Sequence, residues 1–152
     1  MKLPIYFISD NHFYMKKTPE ETERRRKLYS LFSKIHSTRG TLVIGGDFFD
    51  FWFDYGYYKI PEYSDLFDKL EKLSQSGIEI HYIAGNHDYW DFGYFKKKFS
   101  AQFYRDDYRF SVNNQRALVM HGDGLLMSDS GYRLLKIILR SKINIFLFKL
   151  LG

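Results

Sequence analysis

Acidic, imidazole and amide side chains recur at four places in the chain, each directly after a short apolar run. The four segments are Tyr6-Phe-Ile-Ser-Asp10-Asn-His12, Thr41-Leu-Val-Ile-Gly-Gly-Asp47, His81-Tyr-Ile-Ala-Gly-Asn86-His87-Asp88 and Leu118-Val-Met-His121-Gly-Asp123. Carboxylates, imidazoles and amides together are the groups that bind hard and borderline divalent ions. The chain has no cysteine, so any metal must be held by oxygen and imidazole nitrogen. The pattern therefore predicts chemistry that uses bound divalent ions.

The spacing of these segments is regular. The intervals from Asp10 to Asp47, from Asp47 to Asn86 and from Asn86 to His121 are 37, 39 and 35 residues. Each is about the length of one strand–helix–strand unit, which returns the chain to the same edge of a parallel sheet. We therefore expect all four segments at one edge of one sheet. Two ions roughly 3.5–4 Å apart need a carboxylate between them, and Asp47 is the residue that we expect to bridge.

The remaining ligands divide between the two ions. We expect Asp10 and His12 to complete the shell of one ion, and Asn86 and His121 that of the other. A pair of ions of this kind activates water for attack on phosphorus, which predicts a phosphoesterase. His87 is then the catalytic candidate, placed to bind the phosphate oxygens or to protonate the leaving group.

Two further acids, Asp50 and Asp88, are candidates for orienting the histidines from behind the ligands. Taken singly, each of these residues has a structural explanation, since an Asp after Gly-Gly is commonly a turn residue. Taken together, at four strand ends, they favour metal binding. The other loop acids are expected to face solvent; they are Asp54, Asp91, Asp106 and Asp107.

The segments between the ligands predict an α/β protein. Predicted strands cover residues 4–9, 41–45, 78–83, 108–112 and 116–120, the last two forming an antiparallel hairpin around Asn113-Asn114. Predicted helices begin at the capping box Thr18-Pro-Glu-Glu21, near residue 63, near residue 91 and near residue 130. The aromatic run over residues 48–58 is interpreted equally well as core packing or as the wall of a substrate site.

Composition limits the class of protein. The chain has 152 residues and a formal net charge of +5, and residues 130–152 contain five cations and no acid. A basic, apolar terminal helix disfavours nucleic-acid binding, which uses a broad basic face, and favours contact with a membrane surface. Its lysines interrupt every apolar run well short of the ~18–20 residues that span a bilayer. We expect a cytoplasmic protein, with residues 130–150 either on the inner membrane or at an interface with further sequence.

The four motifs resemble those of the calcineurin-like metallophosphoesterases, whose pattern is D-x-H, G-D-x-x-D, G-N-H-D/E, a separate His and a final G-H-x-H. The matching segments here are Asp10-Asn-His12, Gly46-Asp-Phe-Phe-Asp50, Gly85-Asn-His-Asp88 and His121. The resemblance implies an αββα sandwich of two mixed β-sheets flanked by helices. It also implies two divalent ions, for which we expect manganese, with iron, zinc or magnesium as alternatives.

Within this superfamily the chain is similar to the UDP-2,3-diacylglucosamine diphosphatases of lipid A synthesis. The additional similarity is the segment His121-Gly-Asp-Gly-Leu-Leu-Met-Ser-Asp129-Ser-Gly-Tyr132-Arg133. It implies that Asp129 and Tyr132, with Asn86 and His87, contact a nucleotide-sugar lipid, which is split into UMP and 2,3-diacylglucosamine 1-phosphate. The helix that follows would belong to a lid over the acyl chains. His87 is a departure, since many of these enzymes have arginine there.

The G-H-x-H motif does not occur in the 152 residues. We therefore expect an incomplete metallophosphoesterase core over residues 1–123 and a basic, apolar lid or membrane-contact segment over residues 124–152. The expected consequence is weakened metal binding and little or no activity of the chain as it stands. Two alternatives remain: a phosphoesterase of the superfamily that acts on a soluble phosphoester, and a non-catalytic scaffold.

Overall fold

The structure is a computed structural model that describes residues 1–125 and 129–151. It contains two compact units, the first formed by Met1–Asp54 and Ile60–His121 and the second by Tyr55–Lys59 and Gly122–Gly152. Residues 126–128 of the segment that leads from His121 to Arg133 lie outside the described residues.

A four-stranded parallel sheet organises the first unit. Its strands, in spatial order, are β1 (Ile5–Ile8), β2 (Thr41–Ile44), β3 (Ile80–Ile83) and β4 (Gln102–Tyr104). Every residue of β2 and β3 is buried, as expected for apolar strands in the middle of a parallel sheet. The first three strands confirm the sequence prediction, whereas β4 was not predicted. Because the strands are parallel, the loops that follow β1, β2 and β3 leave the sheet at the same edge.

Helices connect these strands and cover the core. Helix α1 (Pro19–Thr38) begins at Thr18, whose side-chain oxygen accepts a hydrogen bond from the Glu21 amide at 3.2 Å, as the capping box predicts. A short 3-10 turn (Pro61–Tyr63) leads into α2 (Ser64–Gln75), and α3 (Tyr94–Phe99) precedes β4. The aromatic run contributes to this core, because Phe48, Phe49, Trp52 and Phe53 are all buried.

A separate antiparallel hairpin completes the first unit. Strands β5 (Asp107–Val112) and β6 (Gln115–Met120) pair around Asn113 and Asn114, whose φ angles of 48° and 62° suit a type I′ turn. The mixed α/β class is confirmed. One sequence expectation is wrong: His121 follows β6, so the fourth ligand segment comes from the second sheet and not from the edge of the first.

Two helices, α4 (Ser130–Leu139) and α5 (Lys142–Leu151), occupy most of the second unit, where the sequence predicted one. The break follows Arg140. Ser141 accepts a hydrogen bond from the Asn144 amide at 3.3 Å, and the Asn144 side chain donates to the Ile138 carbonyl at 2.6 Å, so side chains replace helical bonds here. Among the described residues, no helix combines the length and the apolarity required to cross a membrane.

Candidate metal centre

The loops after β1 and β2 are joined by backbone hydrogen bonds that extend the parallel pairing beyond the strands. The Asp10 amide donates to the Gly46 carbonyl at 3.1 Å, and the His12 amide donates to the Asp47 carbonyl at 2.8 Å. Gly85, in the loop after β3, lies against the same place: a Cβ there would be 2.0 Å from Asp47 Oδ1. Glycine is required because the third loop packs directly on the acid of the second.

This packing brings the expected ligands together. Two groups of side chains offer ligand atoms that all lie within 4.8 Å of one another, one formed by Asp10, Asp47 and His121 and the other by His12, Asp47 and His87. Asp47 is common to both groups and is only 3% exposed. Its Oδ2 lies 3.2 Å from His121 Nε2 and 3.6 Å from His12 Nε2. One buried carboxylate thus faces imidazoles from both groups.

The grouping differs from the sequence expectation, which assigned Asp10 and His12 to the same ion. The structure brings Asn86 and His121 together, with Asn86 Oδ1 3.1 Å from His121 Nε2. His87 belongs to a ligand group, and its ring packs edge-on against His12 with the centroids 4.6 Å apart. His87, for which the sequence predicted a catalytic role, thus lies among side chains that could hold an ion.

Backbone carbonyls fix the orientation of two histidines. His121 Nδ1 lies 3.0 Å from the Gly45 carbonyl, which can only accept, so Nδ1 donates and Nε2 is directed at Asp47. His87 Nδ1 likewise donates to the carbonyl of Asp50. The Asp50 carboxylate lies 3.8 Å from His12 Nδ1, beside a ligand but beyond hydrogen-bonding distance. A fixed tautomer is what metal-binding histidines receive from their second partners.

Asp88 holds the loops through hydrogen bonds to two backbone amides and one tyrosine, and none of these described partners is a histidine. Its carboxylate accepts from the amides of Phe48 at 2.9 Å and Gly85 at 2.8 Å, and from the Tyr82 hydroxyl. Since Phe48 follows Asp47 and Gly85 precedes Asn86, one side chain ties two ligand loops together. Burial raises the pKa of Asp88 and holds that of Tyr82 well above its ordinary value.

Asp47 and His121 shift each other's pKa in opposite directions. Burial alone would raise the pKa of Asp47, but the hydrogen bonds from His121 and from the His87 amide outweigh it and lower that pKa. The hydrogen bond to Asp47 raises the pKa of His121 to about 9. A proton and a divalent cation thus compete for the same place between the two side chains.

The two proposed head-group residues lie in the second unit. Asp129 directly precedes α4, and its carbonyl accepts from the Arg133 amide at 2.9 Å. The Tyr132 hydroxyl donates to Asp123 Oδ2 at 2.8 Å, and Lys136 reaches the same oxygen at 2.8 Å. No role was predicted for Asp123 from the sequence, where its position directly after His121-Gly is the feature that could have indicated one.

The donor set fits a pair of divalent ions. It combines carboxylate oxygen, imidazole nitrogen and an amide oxygen, and one carboxylate belongs to both groups. Such a mixed oxygen and nitrogen set is the kind that binds manganese, iron, zinc or magnesium. The structure therefore brings together side chains that could hold two divalent ions.

Comparison with known proteins agrees with this arrangement. Two curated relatives are both named UDP-2,3-diacylglucosamine hydrolase. The one from Porphyromonas gingivalis is 30% identical over 123 residues, covering 81% of this chain and 47% of the relative. The one from Pseudomonas fluorescens is 35% identical over 148 residues, covering 95% of this chain and 56% of the relative. The chain thus spans about half the length of the curated relatives it matches.

A solved structure supports the fold alone. It is a protein of unknown function from Aquifex aeolicus, 19% identical, with a TM-score of 0.50 over 89% of this chain and 71% of that one. The decisive match is to a family profile described as calcineurin-like phosphoesterase, which covers residues 3–148. Together with the loops that gather around Asp47, this match means that the chain belongs to the calcineurin-like phosphoesterase family.

Proposed function

We propose that this chain carries the metal centre of a phosphoesterase that hydrolyses the diphosphate bond of an acylated UDP-sugar. The products would be UMP and a 2,3-diacylglucosamine 1-phosphate. The observation that carries the proposal is the sharing of buried Asp47 by two ligand groups, one containing His121 and the other His12. A single-ion site or a structural acid would not need this sharing.

The proposed roles follow from the positions of the side chains. Bound divalent ions supply a Lewis acid and a water of lowered pKa. Asp47 keeps the two ligand groups adjacent, while Asp10, His12, Asn86 and His121 complete them. His87, whose Nδ1 is held by the Asp50 carbonyl, would use Nε2 to bind the transferred phosphoryl oxygens or to protonate the departing sugar phosphate.

The proposed substrate rests on the relatives and on the second unit. The curated relatives are named for UDP-2,3-diacylglucosamine. In the second unit, α4 and α5 expose many apolar side chains between cations, among them Ile137, Ile143 and Phe146. These features support residues 124–152 as a lid or membrane-contact segment, with Asp129 and Tyr132 at the head group. They also support a location at the cytoplasmic face of the inner membrane.

Two measurements test the proposal on the 152-residue chain. Separate titrations with Mn²⁺, Fe²⁺, Zn²⁺ and Mg²⁺ should reveal two bound ions, and manganese should be the ion that supports hydrolysis best, although affinity alone rises from Mn²⁺ to Fe²⁺ in sites of this kind. Little hydrolysis is expected without a G-H-x-H motif in these 152 residues, so the readout is the ratio of rates, in which the acylated UDP-sugar should exceed a generic aryl phosphodiester. Preference for the simple ester would point to a soluble substrate, and a chain that purifies without ions and ignores added Mn²⁺ would be a scaffold.

Flotation with vesicles tests the membrane contact separately. Vesicles that contain anionic lipid should bind the chain through residues 130–150, and added salt should weaken the binding because the cations contribute to it. If the chain bound neither anionic nor neutral vesicles, this part of the proposal would be wrong, and the metal centre would be unaffected.

A further inference from the structure

The loop after β1 carries two of the proposed ligands in an unusual backbone conformation. Asp10 has a φ of 51° and His12 a φ of 44°. Residues with a Cβ adopt this left-handed region only at a cost in free energy. Two such residues separated by one position persist only where the surroundings fix the backbone.

The backbone N–H groups of this loop are bound by the loop after β2. The amides of Asp10, His12 and Phe13 donate to three successive carbonyls, those of Gly46, Asp47 and Phe48, over 2.8–3.1 Å. These bonds set the distance between the two loops. The Phe13 carbonyl accepts in return from the Asp50 amide at 3.1 Å, so the carbonyls of Asn11, His12 and Tyr14 are the ones satisfied from elsewhere.

Two arginines of α1 bind those carbonyls. Arg24 donates to the carbonyl of Asn11 and, at 3.4 Å, to that of His12. Arg25 donates to the carbonyl of Tyr14 at 2.5 Å. The Arg24 guanidinium also lies over the Phe13 ring, 5.2 Å from its centroid. The loop is therefore held on its carbonyl side by fixed positive charges.

The arginines are in turn aligned by one buried acid. Glu21, which is 1% exposed, accepts from Arg24 Nη1 at 2.7 Å through Oε2 and from Arg25 Nε at 2.9 Å through Oε1. Arg25 is further fixed by the Glu62 carbonyl at 2.9 Å and by Asp65 Oδ1 at 2.7 Å. This network faces the loop backbone, so its function concerns the position of the ligands and not direct contact with an ion.

We propose that Arg24 and Arg25, aligned by Glu21, are positioning residues that hold Asp10 and His12 in their metal-binding conformation. The inference rests on the proposed metal centre and extends it to α1, outside the four motifs. Charge-assisted hydrogen bonds to carbonyls restrict the loop before an ion arrives, so the ion meets ligands that are already oriented.

Arg24→Met is the informative variant. Its side chain is 39% exposed, and methionine keeps the apolar stem while removing every donor. Truncating Arg25 instead would remove a main partner of buried Glu21. The loss in free energy of unfolding would then be large enough to obscure an effect on metal binding. Arg26→Met is the matched control on the same helix, because Arg26 is 67% exposed and pairs with Glu23 at 2.6 Å.

The experiment measures Mn²⁺ affinity at 25 °C by calorimetry, with thermal unfolding of the same samples. We expect Arg24→Met to weaken Mn²⁺ binding about 10- to 100-fold, the usual effect of losing a residue behind a ligand. Arg26→Met should bind as the wild type does, and Arg24→Lys should recover part of the affinity. Backbone hydrogen exchange of residues 10–13 should accelerate in Arg24→Met alone.

An unchanged Mn²⁺ dissociation constant in Arg24→Met would overturn the inference by itself. If the melting temperature fell at the same time, the network would stabilise the fold without positioning the ligands. A wild-type chain that binds no Mn²⁺ would overturn the metal centre and the inference together, so the two failures are distinguishable.

Discussion

Replacing Asp47 with alanine tests the sharing of one carboxylate by two ligand groups. The change removes one ligand from each group at once. His12→Ala and His121→Ala are matched controls, because each removes a ligand from one group only. The three variants therefore differ in how many ions they affect.

The magnitude follows from the burial of Asp47, which is 3% exposed. Deleting one partner of a buried charge pair costs about 3–5 kcal/mol. At about 1.4 kcal/mol per tenfold in affinity, this corresponds to roughly two to three and a half orders of magnitude for each ion. Asp47→Ala should therefore raise the Mn²⁺ dissociation constants of both ions by this factor, whereas each histidine variant should weaken the binding of one ion.

Calorimetric titration with Mn²⁺ gives the number of ions and their dissociation constants, and elemental analysis after dialysis checks the count. Circular dichroism and urea unfolding establish that each variant is folded. If Asp47→Ala kept one ion at the wild-type dissociation constant, Asp47 would belong to one group only. The two-ion arrangement, and the chemistry inferred from it, would then be wrong.

Three further changes probe the surroundings of the site. In Gly85→Ala the added Cβ meets the shared carboxylate at 2.0 Å, so Mn²⁺ affinity should fall at least about tenfold. In Gly131→Ala the added Cβ meets no other described part of the chain within 4 Å beyond its own helix and neighbours, so calorimetry should find the Mn²⁺ affinity unchanged. Tyr82→Phe removes one donor from buried Asp88, and urea unfolding should show a loss of about 1–3 kcal/mol. Burial lowers the pKa of His81 below its ordinary 6.5, so the unfolded chain takes up a proton first and stability falls as the pH drops below that value. His81→Phe should lose less stability between pH 7.5 and 5 by the same measurement.

Much of the first unit could be predicted because its local signals agree. Thr18 caps α1, and Asn113-Asn114 turns the hairpin, as their chemistry dictates. Strand β4 could not be recognised from the sequence, since its three residues, Gln102–Tyr104, are too few to show an alternating pattern. It is an edge strand, hydrogen-bonded to β3. The error over His121 has another cause: the 35-residue interval from Asn86 was counted as one more crossover of the same sheet, although the antiparallel hairpin predicted within it leads directly into His121.

Burial of the loop acids was also beyond the sequence pattern. Asp54 and Asp91 were expected in solvent, but both are buried. Asp91 accepts from the amides of Gly93 at 2.9 Å and Phe95 at 3.1 Å, which start α3. In a sequence, an Asp whose carboxylate accepts from backbone amides at a buried helix start looks the same as an Asp that faces water.

The backbone itself gives an independent argument for where the function lies. Arg39 and Ser100, both with a φ of 56°, end helices, and Asn113 and Asn114 form the hairpin turn. Each of these residues has a local reason for its left-handed conformation.

The remaining non-glycine residues with positive φ in the described part of the chain are Asp10, His12 and Asp47, at 51°, 44° and 51°. No helix end or hairpin turn requires the left-handed conformation at these three residues. The bonds between the loops, together with Arg24 and Arg25, offset the cost of this conformation, which directs all three side chains to one place. Strain that coincides with a set of metal-ligand side chains is what a preorganised site contains. The backbone conformation of these three residues therefore adds support for a metal centre that does not depend on the spacing of the motifs.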